Sequence, residues 1–213
     1  MLLSMSCVDD GQLMSRYCNG DIKAFELLYG RHKGPLYRYL LRYVRNAAAA
    51  SDLFQEVWSK VIATRARYEA RAKFATYLFH IAHNCAIDHH RRGVASIVGR
   101  TDEALAPLTD MQCPEHQLPD RIAEYDEQQA ALLTALSQLP AEQREVFLLH
   151  EETGLGIEDI ARVTGVGAET AKSRLRYALR KLKSALLESA GLEAAGLELS
   201  HSRAPARAVR KAL

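Results

Sequence analysis

The residues best suited to chemistry in this sequence are the cations of its last third. Between Thr170 and Leu187 there are six lysines and arginines and no acidic residue. A helix that only faces solvent usually carries both signs, because opposite charges four residues apart stabilise it by about 0.2–0.5 kcal/mol per pair. Uncompensated positive charge is typical of a surface that binds a polyanion. The segment therefore predicts a nucleic-acid-binding helix, against the alternative of an αα-hairpin whose charged face is only hydrated. The cations are Lys172, Arg174, Arg176, Arg180, Lys181 and Lys183.

A second chemically distinctive segment, residues 65–92, mixes aromatic residues with cations. Aromatic rings can stack on unpaired bases while neighbouring cations hold phosphates, which is what binding of single-stranded nucleic acid requires. Helical spacing assigns Phe74 and Leu78 to a core and leaves Tyr77 open between core and surface. The bases are Arg65, Arg67, Arg71, Lys73, Arg91 and Arg92, and the aromatic residues are Tyr68, Phe74, Tyr77 and Phe79.

The same segment holds a group of histidines and a cysteine that raises the question of metal binding. Cys85 and His89 stand four residues apart, but on a helix they lie nearly opposite His80 and His83. His90 lines up with His83 yet sits about 10 Å further along the axis. A structural zinc site needs four converging ligands. We therefore predict no metal, no cofactor and no catalytic residue, since no P-loop, metalloprotease-type motif or nucleophile–base pair is recognisable either.

The cationic helix is preceded by a pattern that predicts a helix-turn-helix over residues 153–183. Apolar residues at helical spacing end at Gly165-Val166-Gly167, where glycine can take the left-handed conformation that terminates a helix. A second helix is predicted from about Ala168. Its apolar arc comprises Ala171, Leu175, Ala178, Leu179, Leu182 and Leu186, and the opposite side carries Ser173, Arg176, Tyr177 and Arg180.

Upstream of residue 93 the pattern predicts further helices. Asp21 can cap one helix, Gly34-Pro35 is expected to interrupt it, and Ser51 is the expected N-cap of a helix over residues 51–62. That last helix has a clean polar half, formed by Asp52, Gln55, Glu56, Ser59 and Lys60. Because no sustained period-two pattern occurs, the fold is predicted to be all-α, with two small helical domains.

Charge is strongly segregated along the 213 residues, although the net charge is only +2. Residues 102–127 hold eight acids and one base, whereas residues 160–187 hold seven bases and one acid. The acidic part also contains three prolines, which favours a flexible linker. The predicted division is 11–93, a first domain; 94–128, the linker; 129–188, the helix-turn-helix domain; and 189–213, a basic tail expected to be disordered.

The remaining composition bears on location. The first residues, MLLSMSCVDDG, lack the cationic segment and apolar run of a secretory signal, and no apolar run is long enough to cross a membrane, so we expect a cytoplasmic protein without membrane insertion. Its four cysteines are scattered without a CxxC pair, which favours reduced thiols.

Two separated blocks resemble one family of bacterial proteins. SDLFQEVWSKV with FATYLFHIAHNCAIDHHRR resembles the second region of sigma-70-family factors. LSQLPAEQREVFLLHEETGLGIEDIARVTGVGAETAKSRLRYALRKLK resembles the fourth region. The linker joins them without a third domain, which is similar to the extracytoplasmic-function (ECF) class. The resemblance covers roughly residues 11–187.

This resemblance implies a subunit that docks on core RNA polymerase and recognises promoter DNA. Its partners would be the β′ clamp helices and the β flap of the polymerase, promoter DNA, and an anti-sigma factor. The implied polymerase-binding residues are Asp52, Gln55 and Glu56. The implied −10 element contacts are Tyr68, Arg71, Lys73, Tyr77, His80, Asn84, Arg91 and Arg92. The implied −35 element contacts are Thr170, Lys172, Ser173, Arg174, Arg176, Tyr177 and Arg180.

The chain departs from the family pattern at a few of these positions. Glu169-Thr170-Ala171 stands where Gly-Thr-Val is usual, Tyr177 replaces an arginine, and Tyr77 replaces a common tryptophan. These departures bear on the promoter sequence more than on the function. Two alternatives stay open here: a stand-alone helix-turn-helix regulator that works without polymerase, and a metal-dependent helical enzyme built on the histidines.

Overall fold

The computed structural model describes residues 8–69, 72–97 and 132–189, and within these ranges the chain forms helices and turns without any strand. The prediction of an all-α fold is confirmed. The helices are α1 (Asp10–Cys18), α2 (Ile22–Val44), α3 (Ala47–Thr64), α4 (Phe74–Ile97), α5 (Ala141–Thr153), α6 (Ile157–Thr164) and α7 (Ala168–Ser189). A 3-10 turn at Arg65–Arg67 follows α3, and residues 132–137 are also helical.

Aspartates cap the first two helices. Asp9 accepts a hydrogen bond from the backbone N–H of Gly11, and Asp21 accepts one from Ala24, as predicted for Asp21. Each bond satisfies one of the N–H groups that a helix start leaves without an intrahelical partner. The Arg16 guanidinium, which donates to Asp21 at 2.7 Å, holds the pKa of that carboxyl below its usual value.

The expected interruption of α2 at Gly34-Pro35 is wrong. The helix runs unbroken from Ile22 to Val44 with Pro35 inside it. Proline removes one backbone hydrogen bond and strains the preceding turn. Packing offsets this cost, because Leu28, Leu36 and Leu40 on the same helix are fully buried. Burial of a continuous apolar face therefore outweighs the local preference of the Gly-Pro pair.

The expected N-cap of α3 is wrong as well. The helix begins at Ala47 rather than after Ser51, and its cap is Asn46, whose side chain accepts from the N–H of Ala49 at 2.9 Å. Alanine is the strongest helix former, so the four alanines at 47–50 extend the helix back to the first good capping residue. Ser51 lies inside the helix and is exposed.

The described residues belong to two compact units. The first unit lies within Met1–Leu108 and Leu148–Ala168. Its core is formed by apolar side chains of α1 to α4, and α6 packs against α4 within this same unit. The largest fully buried side chains are Leu13, Met14, Leu28, Leu36, Tyr39, Leu40, Leu53, Phe74, Leu78 and Phe79. The assignment of Phe74 and Leu78 to the core is confirmed.

The second unit lies within Thr109–Phe147 and Glu169–Leu213. Its described part covers residues 132–147 and the helix α7 after its first residue. Apolar side chains at helical spacing are buried in both stretches, so each of them presents one face to a core. These residues are Leu132, Ala135, Leu136, Leu139, Val146, Phe147, Ala171, Leu175, Ala178 and Leu182. The boundaries 11–93, 94–128, 129–188 and 189–213 stay a prediction, and the last of these segments falls largely outside the described residues.

Candidate nucleic-acid and polymerase interfaces

A tight turn separates α6 from α7. Gly165 ends α6 in the left-handed conformation, with φ of 69°, and its N–H donates to the carbonyl of Ala161. The next amide, that of Val166, donates to the same carbonyl at 3.1 Å. A side chain with a Cβ is disfavoured at this φ, which explains the glycine. The predicted helix, glycine turn and second helix are all present.

The helix α7 has one buried and one exposed side. Ala171, Ala178 and Leu182 are almost completely buried, and Leu175 is 8% exposed. Leu179 is half-buried, and Leu186 lies outside the residues whose side chains are described. Among the residues that were predicted to read DNA, Thr170, Lys172, Arg176, Tyr177 and Arg180 are exposed, whereas Ser173 and Arg174 are half-buried. The buried arc thus fixes which residues point to solvent.

The exposed cations of α7 have almost no acidic partner. Lys172 pairs with Glu169 at 3.6 Å, one helical turn before it. Within the described part of the chain, the other cations of this helix form no ion pair. The guanidinium groups of Arg176 and Arg180 lie 5.6 Å and 4.9 Å from the centre of the Tyr177 ring. Their charge is therefore available to an anionic partner.

The predicted −10 aromatic residues are partly engaged in packing. The Tyr68 ring lies 5.1 Å from that of Tyr77 and 6.4 Å from that of Phe74. Burial raises the pKa of the Tyr68 phenol, and its hydroxyl has no hydrogen-bond partner. The Tyr77 hydroxyl is hydrogen-bonded to that of Thr64 at 2.7 Å. Both rings are half-exposed, whereas Phe79, another aromatic of this segment, is fully buried.

An exposed stripe follows Tyr77 along α4. His80, Asn84 and Arg91 are exposed, and with Tyr77 they recur at intervals of three, four and seven residues, so they share one side of the helix. Arg92 is also exposed, and its Nε donates to the carbonyl of Asp88 at 3.2 Å. Arg71, another predicted contact, lies outside the described residues. The stripe is the part of the predicted −10 set that the fold brings together.

Lys73 is placed differently from that stripe. Its side chain is 68% exposed, yet its ammonium group pairs with Asp159 of α6 at 3.2 Å. Asp159 is almost buried and also pairs with Arg162 at 3.4 Å. This pair engages one of the three donors of the Lys73 ammonium, so the exposed side chain retains donors for a phosphate.

The predicted polymerase-docking face also divides in two. Asp52 and Gln55 are exposed. Glu56 is instead half-buried, and it pairs with Lys60 at 2.7 Å and with Arg92 at 3.8 Å. The Lys60 ammonium lowers the pKa of Glu56, and in return Glu56 raises the pKa of Lys60. The spacing of Glu56 and Lys60 could have revealed this pair from the sequence.

The buried thiol of Cys85 also contacts the Glu56–Lys60 pair, through the Lys60 ammonium. It is fully buried, its Sγ lies 3.2 Å from Nζ of Lys60, and burial raises the pKa of its thiol. His83 is buried too. In the described residues, no three histidine, cysteine or acidic side chains come together as a metal site would require.

Sequence reasoning missed a buried ionic group in the first unit. Glu152, at the end of α5, has only 4% of its side chain exposed and accepts from Arg38 at 2.7 Å. It also accepts from Arg42, whose side chain is 11% exposed. Burial lowers the pKa of Arg42 to about 10, with the charge of Arg38 as a second cause. These partners are 110 and 114 residues apart in sequence, so no local pattern could have paired them.

Comparisons with known proteins agree with this architecture. The family model for Sigma-70 region 2 matches residues 28–95, and that for Sigma-70 region 4 matches residues 129–182. The structure of CnrH in complex with the cytosolic domain of CnrY aligns with a TM-score of 0.60 at 21% identity, covering 84% of this chain and 97% of that one. The sigma factor RpoE of Bartonella quintana, solved with the anti-sigma factor NepR, aligns with a TM-score of 0.61 at 24% identity, covering 80% and 99%. These likenesses support the fold.

Sequence relatives carry the assignment further. The RNA polymerase sigma factor CarQ of Myxococcus xanthus is 34% identical over 177 residues, which cover 82% of this chain and 96% of CarQ. The ECF RNA polymerase sigma factor SigL of Mycobacterium tuberculosis is 37% identical over 169 residues, covering 76% and 88%. In the described ranges, no helix is both long and apolar enough to cross a membrane. With both regions matched in order over most of its length, the chain belongs to the sigma-70 family of RNA polymerase sigma factors, in its extracytoplasmic-function class.

Proposed function

We propose that this chain directs core RNA polymerase to promoters through three separate surfaces, and that it catalyses no reaction itself. The observation that carries the proposal is the exposed side of α7, whose cations lack acidic partners except at Lys172. A recognition helix that follows a glycine turn enters the major groove of duplex DNA, where arginine reads guanine edges. A stand-alone regulator would use this helix, but it would give no binding role to the exposed polar residues of α3 and α4.

The first surface is the polar side of α3, which we assign to polymerase. Asp52 and Gln55 are exposed, and neither forms a hydrogen bond or ion pair with another described residue. We assign them to the β′ clamp helices. Glu56 is part of the same proposed set, and its ion pairs also position Lys60 and Arg92 on the neighbouring surface. The domain at 129–188 would meet the β flap. A subunit that binds core polymerase must be present where the polymerase is, so the proposed location is the cytoplasm.

The second surface is the α4 stripe with its neighbours, assigned to the opened −10 element. Tyr77 and Arg91 are fourteen positions apart in the sequence, which is about 21 Å along a helix. That length accommodates several unstacked nucleotides, with a ring for stacking at one end and a cation for phosphate at the other. Tyr68, Arg71, Lys73 and Arg92 complete the proposed set.

Strand opening should depend on the exposed part of this stripe. His80→Ala combined with Asn84→Ala should reduce open complex by about 10-fold, since lost contacts to the single strand are not matched by lost contacts to the duplex. Permanganate reactivity of −10 thymines measures the open complex. Both residues are exposed, so thermal stability should change little.

Tyr68→Ala tests a different member of the proposed set, at a residue that packs against Phe74 and Tyr77. It should lower the melting temperature whether or not Tyr68 touches DNA. Full permanganate reactivity in a stable His80/Asn84 variant would remove the stripe from the opening step.

The third surface is α7, assigned to the −35 element. Arg176→Ala should cost about 1–3 kcal/mol on the preferred element and flatten the preference for one base pair, because a bidentate arginine–guanine contact is lost. Lys181→Ala should weaken binding evenly across sequences and reduce the salt dependence, as loss of a phosphate contact does. Filter binding of holoenzyme to promoter variants at two salt concentrations separates the two. Equal, sequence-independent losses for both variants would contradict base reading by Arg176.

An anti-sigma factor is the remaining partner that we propose. The solved relative RpoE of Bartonella quintana was captured with the anti-sigma factor NepR, and its fold covers 80% of this chain. A protein of this kind would compete with core polymerase for the exposed part of the first unit.

A further inference from the structure

Tyr177 lies between two arginines on the exposed side of α7. The guanidinium carbons of Arg176 and Arg180 are 5.6 Å and 4.9 Å from the centre of its ring, within the range of a cation–π contact. The Tyr177 side chain is itself 41% exposed, so it is not a core residue. One aromatic side chain thus contacts two cations that the proposed function assigns to DNA.

The chemistry of this contact differs from that of an ion pair. A carboxylate binds the N–H edge of a guanidinium and must be displaced before that edge can bind a base or a phosphate. An aromatic ring contacts the guanidinium through its π face and leaves the N–H donors free. Lys172 of the same helix has a carboxylate partner, Glu169 at 3.6 Å, whereas the partner of Arg176 and Arg180 is the Tyr177 ring.

The ring also reduces the freedom of the two side chains. A long arginine loses much conformational entropy when it is ordered at an interface, and order that exists before binding lowers that cost. Tyrosine carries no charge at neutral pH, so its presence leaves the positive charge of α7 unchanged. Its contribution should therefore appear in the selectivity of the helix and not in its general attraction to DNA.

We propose that Tyr177 is a positioning residue for DNA reading: it holds Arg176 toward a guanine edge and Arg180 toward the adjacent phosphate. It acts through the two arginines and not through a base contact of its own. The inference rests on the proposed function.

The experiment uses holoenzyme, reconstituted from core RNA polymerase and the full chain, with a duplex promoter library randomised over the −35 element. Bound and unbound fractions are sequenced. The unsubstituted chain should enrich guanine at one position, and Arg176→Ala should abolish that enrichment. Tyr177→Ala should reduce it by about 2- to 5-fold, the range expected for an exposed cation–π contact. Tyr177→Phe keeps the ring and should retain it.

Two further measurements make the test specific. The dependence of affinity on salt should be the same for Tyr177→Ala and the unsubstituted chain, because the number of cations is unchanged. Far-ultraviolet circular dichroism of the variants checks that α7 is intact. If Tyr177→Ala and Tyr177→Phe give the same enrichment as each other, the positioning role is wrong while base reading by Arg176 stands. If the unsubstituted holoenzyme shows no guanine preference, the inference and the −35 assignment both fail.

Discussion

Glu152→Gln should lower the free energy of unfolding of the first unit by about 3–5 kcal/mol, the loss typical of removing one partner from a buried ion pair. The carboxylate is nearly buried, and it accepts from both Arg38 and Arg42. Glutamine has the same shape, so no cavity is created. What remains is a buried Arg42 without a countercharge, and burial already lowers the pKa of that arginine to about 10.

Urea unfolding followed by circular dichroism measures this effect. The control is Glu158→Gln, the same change at an exposed position of α6, which should stay within about 0.5 kcal/mol of the unsubstituted chain. Arg42→Met combined with Glu152→Leu replaces both charges by apolar groups and should recover most of the loss. Equal stability of Glu152→Gln and Glu158→Gln would show that the Glu152 carboxylate does not stabilise the first unit.

Asp52→Lys should weaken binding to core polymerase by about 10-fold or more, since a charge reversal at an interface places like charges together where opposite charges met. Asp52 is exposed and not engaged within the protein, so helical content and stability should be unchanged. Gln55→Lys should act in the same direction. A substitution of Glu56 would be harder to interpret, because it would also break the ion pairs with Lys60 and Arg92.

Glu26→Lys is the matched control for docking. It makes the same change of charge at an exposed position of α2. Fluorescence anisotropy of labelled chain titrated with core enzyme gives both affinities, and measurement at two salt concentrations identifies the electrostatic part. Equal affinities for Asp52→Lys and Glu26→Lys would mean that the polar side of α3 faces solvent in the holoenzyme.

The sequence predicted those parts of the structure that depend on short-range periodicity. Apolar spacing identified the all-α class, the core positions Phe74 and Leu78, the buried arc of α7 and the turn at Gly165, because each follows from helix geometry alone. Local rules failed where a distant contact or a competing neighbour decided the outcome. Pro35 lies inside a helix whose buried face offsets its cost, and Asn46 with the following alanines displaced Ser51 as the cap.

The candidate surfaces show the same division. Exposure on α7 and along the α4 stripe follows from the helical pattern. The partners of individual side chains did not follow from it: Lys73 meets Asp159, and Glu152 meets Arg38 and Arg42, through contacts between residues far apart in sequence. The contacts of these surfaces with DNA and polymerase remain predictions that rest on charge, exposure and the resemblance.

The most direct test of the central claim is transcription in vitro from a promoter library randomised at both the −35 and −10 elements. Core RNA polymerase is supplied with or without this chain, and the 5′ ends of the RNA are sequenced. With the chain, transcripts should begin at a fixed distance downstream of one shared pair of elements, and core enzyme alone should select none. If the chain binds duplex DNA by itself but leaves start-site selection by core polymerase unchanged, it is a separate helix-turn-helix regulator and the account is wrong.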